Sequence, residues 1–223
     1  MIADDRRHGG RHRRARVAGR RTRSKFANWP RVAAGLIGLG IAAATFIALS
    51  SPAGAKVQTL ARAKLHDASG AEVGEVTFKG AGKYANRVEV DIQAPDVPNP
   101  GGFHGLHIHT TGVCDPSGPA PFASAGGHWP DGVDSPNHAG DLPSVLLTPE
   151  GNAYAEFETA RFKIDDLFDS DRSAVVLHAG ADNFANIPSR YTNASGSPGP
   201  DSTTLKTGDA GSRYACGVVE RVN

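Results

Sequence analysis

From residue 57 onward, apolar and polar positions alternate with period two. Val57-Gln58-Thr59-Leu60-Ala61-Arg62-Ala63-Lys64-Leu65 alternates throughout, and Asp67-Ala68-Ser69-Gly70 follows as a turn. Glu72-Val73-Gly74-Glu75-Val76-Thr77-Phe78 alternates again before Gly80-Ala81-Gly82, and Arg87-Val88-Glu89-Val90-Asp91-Ile92 is a third such run. Successive side chains of a strand point to opposite faces, so each run predicts a strand with one buried face. Residues 153–157, 173–178 and 214–219 predict further strands. Short strands separated by Gly and Asp turns predict an all-β sandwich or barrel.

Two stretches break the alternation. Residues 110–143 and 179–213 are long and rich in Gly and Pro, the second containing Ser195-Gly196-Ser197-Pro198-Gly199-Pro200. Loops of this length in a compact domain are usually functional or without fixed structure. These carry His, Asp and Arg and have a Cys near an end, which predicts function. No internal repeat or heptad pattern is present.

Charge divides the chain in two. Residues 1–31 hold 11 Lys and Arg against 2 Asp and Glu, residues 32–49 are uncharged, and residues 56–223 hold 13 Lys and Arg against 21 Asp and Glu. A basic start, an apolar run and then the small residues Ala53-Gly54-Ala55 form a secretory leader, with cleavage predicted after Ala55. A retained anchor is the other reading, because the apolar run reaches the lower limit for spanning a bilayer. Arg20-Arg21 is a weak twin-arginine feature, since Thr22-Arg23-Ser24-Lys25-Phe26 lacks the apolar pair that should follow. A basic arm for nucleic acid would not need the apolar run, so no nucleic-acid partner is expected. Residues 1–55 are therefore read as leader or anchor, and 56–223 as one exported domain, in a periplasm-like space of the cell envelope, secreted, or held at a membrane.

The only two cysteines, Cys114 and Cys216, both follow the leader. In an oxidising compartment an even pair most simply forms one disulfide, closing a loop of about 100 residues worth about 4–5 kcal/mol in the chain-entropy model. Two buried thiols are the alternative.

Of the seven histidines after the leader, six fall between His104 and His178. In Gly105-Leu106-His107-Ile108-His109 two imidazoles two residues apart share one strand face. His128 follows Gly126-Gly127, and His178 ends Val175-Val176-Leu177. Imidazole suits copper, zinc, nickel and iron, and packing alone does not require such clustering.

These blocks, with His138-Ala139-Gly140-Asp141-Leu142-Pro143, His178-Ala179-Gly180-Ala181-Asp182 and Lys206-Thr207-Gly208-Asp209-Ala210-Gly211-Ser212-Arg213-Tyr214-Ala215-Cys216-Gly217-Val218, resemble the copper/zinc superoxide dismutase family, in family order and over about residues 57–222. The ending most resembles exported enzymes of actinobacteria. The resemblance implies a Greek-key β-barrel with two long functional loops. It implies copper held by His107, His109, His128 and His178, with His128 also moving a proton. Arg213 would attract the superoxide anion at the mouth of the site, Lys206 and Thr207 would line the channel, and Asp182 would orient a metal-bound histidine. Cys114 and Cys216 would be the disulfide that helps orient Arg213, and His104 a structural histidine. The implied activity is dismutation of superoxide to oxygen and hydrogen peroxide. The domain is acidic, so attraction of a small anion must be local, and a cationic Arg213 and Lys206 at a narrow mouth can supply it.

One departure stands out. His138 and Asp141 match two zinc ligands and His128 the shared one, but no histidine lies between His128 and His138. Zinc would then bind through His128, His138, Asp141 and a water or a carboxylate such as Asp131 or Asp134. Otherwise the enzyme is copper-only, or His138 and Asp141 simply hold the loop by hydrogen bonds. Without the missing histidine, Asp182 would orient the copper side only. A different class of protein, a copper-binding or copper-delivery domain on a dismutase-like scaffold, would not need Arg213. The oligomeric state is not readable from the sequence.

Overall fold

The computed structural model describes residues 58–80, 87–95, 97–98, 101–130 and 132–222. The leader, its cleavage position and Asp131 lie outside the described residues. The strands are β1 (Gln58–Asp67), β2 (Glu72–Gly80), β3 (Val88–Ala94), β4 (Gly102–His104), β5 (Leu106–His109), β6 (Val145–Leu147), β7 (Ala153–Thr159), β8 (Ala174–His178), β9 (Arg213–Val218) and β10 (Glu220–Arg221). A short helix, α1 (Ser202–Thr207), lies in the second long loop.

The pairings are antiparallel, in the order β4-β6-β7-β3-β2-β1-β9-β8-β5, with β10 on β1. Placing β1 beside β9 and β3 beside β7 is the non-sequential adjacency of a Greek key. β4 and β5 end the two sides of this path, yet only Gly105 separates them in the chain. Gly105 donates its N–H to the Gly180 carbonyl (2.9 Å) and accepts from the His178 N–H (2.8 Å). The chain thus draws the ends of the sheet into a nearly closed barrel.

The alternation read in the sequence sets the core. Ala61, Ala63 and Leu65 of β1, Val76 and Phe78 of β2, and Val90 and Ile92 of β3 are fully buried in one cluster. Fully burying one Leu, Ile or Phe contributes about 1.5–3 kcal/mol, so this inner face dominates the stability. Arg62 and Lys64 lie between buried neighbours on the opposite, exposed face of β1.

β5 and β8 are buried on both faces. Leu106 and Ile108 of β5, with Val175 and Leu177 of β8, join the barrel core. Period two therefore puts His107, His109 and His178 on the outer wall. Ala174 and Val176, on that same wall, pack with Phe122, Ala125 and Cys216, and Cys114 lies against them. Cys114 and Cys216 form a disulfide across 102 residues of chain. It joins the first long loop to β9.

The first long loop also supplies β5 with a partner along its other edge. Trp129 donates to the Ile108 carbonyl (2.9 Å), Ile108 to the Gly140 carbonyl (3.0 Å) and Thr110 to the Gly127 carbonyl (3.0 Å). Gly140 is required by closeness: a Cβ there would lie 2.6 Å from the Ile108 oxygen. His107, His109 and His178 thus sit outside the barrel core, buried beneath loops.

Candidate metal centre

Strand register assembles the centre. In the β5–β8 pair, His107 faces Val176 and His109 faces Ala174, while His178 sits across from Arg213 at the irregular end of the β8–β9 pair. The loop beside β5 forms isolated bridges His109↔His128 and His107↔Asp141. Four histidines from β5, β8 and the first loop thereby converge. One nitrogen from each of His107, His109, His128 and His178 lies within 4.8 Å of the other three, and all four side chains are buried.

Each ring is oriented by its other nitrogen. His109 Nδ1 donates to the Gly126 carbonyl (3.0 Å), and His178 Nδ1 donates to the Gly211 carbonyl (3.1 Å). A carbonyl can only accept, so these rings carry their hydrogen at Nδ1 and present a lone pair at Nε2. His107 does the reverse: its Nε2 meets Asp182 Oδ2 at 2.7 Å, which leaves Nδ1 facing the centre. His128 Nδ1 meets Asp141 Oδ1 at 2.9 Å, which leaves Nε2. The four remaining nitrogens, His107 Nδ1 and Nε2 of His109, His128 and His178, are buried with no hydrogen-bond partner. A buried polar atom left unpaired costs about 1–3 kcal/mol. Four such lone pairs aimed at one point fit a bound metal ion, and an all-imidazole set fits copper.

The electrostatics agree. Burial, together with the neighbouring imidazole of His128, holds the His107 and His109 rings well below the usual histidine range. Burial brings His178 down to about 4, against the opposing pull of the Gly211 carbonyl. Around neutral pH these rings are uncharged, the state in which imidazole binds a metal.

Arg213 lies beside this set, half-buried, and burial lowers its pKa. Its guanidinium donates to the carbonyls of Phe122 and Gly126, both in the loop tied down by Cys114–Cys216. The Gly126 carbonyl thus accepts from Arg213 and from His109 together. Gly126 has φ 77° and ψ −157°, a backbone region open essentially to glycine alone. A side chain there would also meet the Thr110 hydroxyl.

Asp182 spends its second oxygen on the Phe184 N–H (2.6 Å), and burial raises its pKa. Its one histidine contact is with His107, on the four-histidine side. His104 Nδ1 donates to the His178 carbonyl (2.9 Å), the structural role expected of it. Lys206 is exposed in the last turn of α1. The Thr207 hydroxyl serves the helix end, donating to the Thr203 carbonyl (2.8 Å) and accepting from the Asp209 N–H (3.2 Å).

The other side of His128 is organised differently. His128, His138 and Asp141 bring their ligand atoms within 4.8 Å of one another and are buried. Asp141 is the hub, accepting from His128 at Oδ1 and, at Oδ2, from His138 (3.0 Å) and the Ser135 hydroxyl (2.9 Å). Burial pushes its carboxyl up, but the two imidazoles outweigh this and hold it at about 2. Asp134 does not join: it is exposed, and its carbonyl closes a turn onto the Asn137 N–H (2.8 Å). The buried neighbour Ser135 reaches the carboxylate instead. Ser135, a common hydroxyl, and the carbonyls of Phe122, Gly126 and Gly211 contribute with no side-chain signal in the sequence.

Known proteins match this arrangement. The family model for copper/zinc superoxide dismutase matches residues 72–219. Superoxide dismutase [Cu-Zn] of Mycobacterium tuberculosis is 42% identical over 181 residues, covering 77% of this chain and 68% of its own. The enzyme of that name from Escherichia coli is 31% identical over 168 residues, covering 67% and 86%. Among solved structures, a double mutant of a SOD-like protein from Bacillus subtilis superposes with a TM-score of 0.52 at 28% identity, covering 70% of this chain and 95% of that one. The chain belongs to the copper/zinc superoxide dismutase family.

Proposed function

We propose that this protein is an exported, copper-dependent superoxide dismutase whose copper is held by His107, His109, His128 and His178, and whose second, zinc-like position is closed by protein. The observation that carries the reading is the set of four converging, unpartnered imidazole nitrogens beside Arg213. When bound, copper alternates between two oxidation states, taking an electron from one superoxide and giving it to another, so that two superoxides and two protons yield oxygen and hydrogen peroxide.

The chain's own groups do the rest. Arg213 supplies a fixed positive charge where the net charge of the domain would repel an anion, and its two carbonyl partners hold the guanidinium beside the loop that carries His128. Lys206, on the exposed turn of α1, adds to that field, and Thr207 fixes the helix end from which it projects. His128 can hold a proton at Nε2, and the Asp141 carboxylate stabilises the resulting imidazolium from the far side. Asp182 keeps His107 in the tautomer that presents Nδ1.

Donor chemistry supports the copper-only reading. Structural zinc prefers four protein ligands, and this side offers three among the described residues. Each is already paired with another, and Ser135 shares the carboxylate. Asp141 thus holds the far side of His128 in the way a second metal would. The basic and then apolar sequence before residue 56 supports the reading of export, and the disulfide suits an oxidising compartment.

Metal analysis of the protein isolated from the cell envelope or medium, combined with a superoxide decay assay, tests this. We expect one copper per chain, little zinc and rapid decay. Copper-loaded protein that leaves superoxide decay at the uncatalysed rate overturns the enzyme reading.

A further inference from the structure

Arg161 lies just past β7 and far from the copper ligands in sequence. Its Nη2 donates to the Pro136 carbonyl (2.8 Å) and its Nη1 to the Asp141 carbonyl (3.3 Å). These two carbonyls lie at either end of the six-residue turn that carries His138 and ends at Asp141. The guanidinium fork therefore spans the turn from outside, while Ser135, His138 and His128 converge on the Asp141 carboxylate from inside. The residue before the turn is tied as well, from the Ser135 N–H to the Leu205 carbonyl of α1 (2.7 Å).

We infer that Arg161 is a positioning residue of the dismutase site: by clamping residues 136–141 it fixes the Asp141 carboxylate, and through it the ring of His128. A planar fork with several donors suits the bridging of two acceptors a few ångströms apart, and an ammonium on a flexible stem does so poorly. The need for a brace follows from the same departure that removes the middle zinc histidine. A turn not gathered by a metal must be gathered by side chains, and Arg161 does this from outside without touching any of the four copper-side histidines. The inference rests on the proposed copper site, but the ordering of the turn can be measured without copper.

The test compares the wild type with Arg161→Ala, Arg161→Lys and Asp141→Asn, and with the double variant Arg161→Ala/Asp141→Asn, in the mature protein. Three readouts are taken. The first is amide hydrogen exchange of Asp141 and Leu142 in metal-free protein. The others are the Cu(II) electron paramagnetic resonance spectrum and kcat of copper-loaded protein. Arg161→Ala should speed exchange at these amides, alter the copper spectrum and lower kcat by about tenfold, the lower end of what loss of an outer partner of a metal site produces. Arg161→Lys should recover only part of this. The double variant should be no slower than Asp141→Asn alone, because both act through one carboxylate. Unchanged exchange together with an unchanged spectrum in Arg161→Ala overturns the inference, as does a double variant whose losses multiply. If wild-type copper protein is itself inactive, the enzyme reading fails, while the exchange data still decide whether Arg161 holds the turn.

Discussion

The two sides of the His128 ring contrast. On one side its Nε2 joins three other buried nitrogens that have no partner. On the other its Nδ1 joins a carboxylate that also satisfies His138 and Ser135. Both sides are buried and rich in histidine, and composition does not distinguish them. Hydrogen bonding does: the nitrogens of the first side are left unpaired, whereas the second side pairs its own groups.

Substitutions can break this contrast in order of severity. Replacing a copper-side ligand should have the largest effect. His107→Ala should lose copper, measured per chain by mass spectrometry, and lower the dismutation rate by more than the roughly hundredfold upper range for outer partners. Asp141→Asn comes next. The amide cannot accept from His128 and His138 as the carboxylate does, so copper affinity or rate should fall about 10–100-fold. Retention of wild-type values would mean that the carboxylate does not hold His128.

Arg213→Ala should keep its copper and lose rate, by about tenfold at low ionic strength, with the gap narrowing as salt screens the field. A copper-delivery protein would show no such loss. The smallest effect should come from zinc. Added to copper-loaded protein, it should leave the rate and Tm unchanged, because a ligand stabilises the fold only where it binds. A Tm that rises with zinc concentration would reopen the second site.

Much of this was legible in the chain. The alternating runs at 57–65, 72–78 and 87–92 became β1, β2 and β3, with ends shifted by one or two residues. The period-two placement of His107 and His109 on one wall also held, since Leu106 and Ile108 took the core. Spacing marked His107 and His109, local context marked His128 and His178, and the family resemblance joined the four. The short strands β4 and β6 escaped, because three residues carry too little periodicity. The strand-like course of the first loop beside β5 escaped as well, being held by backbone bonds between Gly, Trp and Ile. Asp134 was weighed as a zinc ligand and lies exposed, while Ser135 beside it points inward. A one-residue change of direction in a loop has no period to betray it. Contributions made through carbonyls, such as those of Phe122 and Gly126 to Arg213, leave no side-chain signature at all.

The oxygen of Gly126 has a mechanical consequence. It is a common acceptor for the Arg213 guanidinium and the His109 ring. A shift of the loop at Gly126 should therefore carry both in the same direction. Their separation then varies less than either position, and a small anion arriving at any instant meets nearly the same gap.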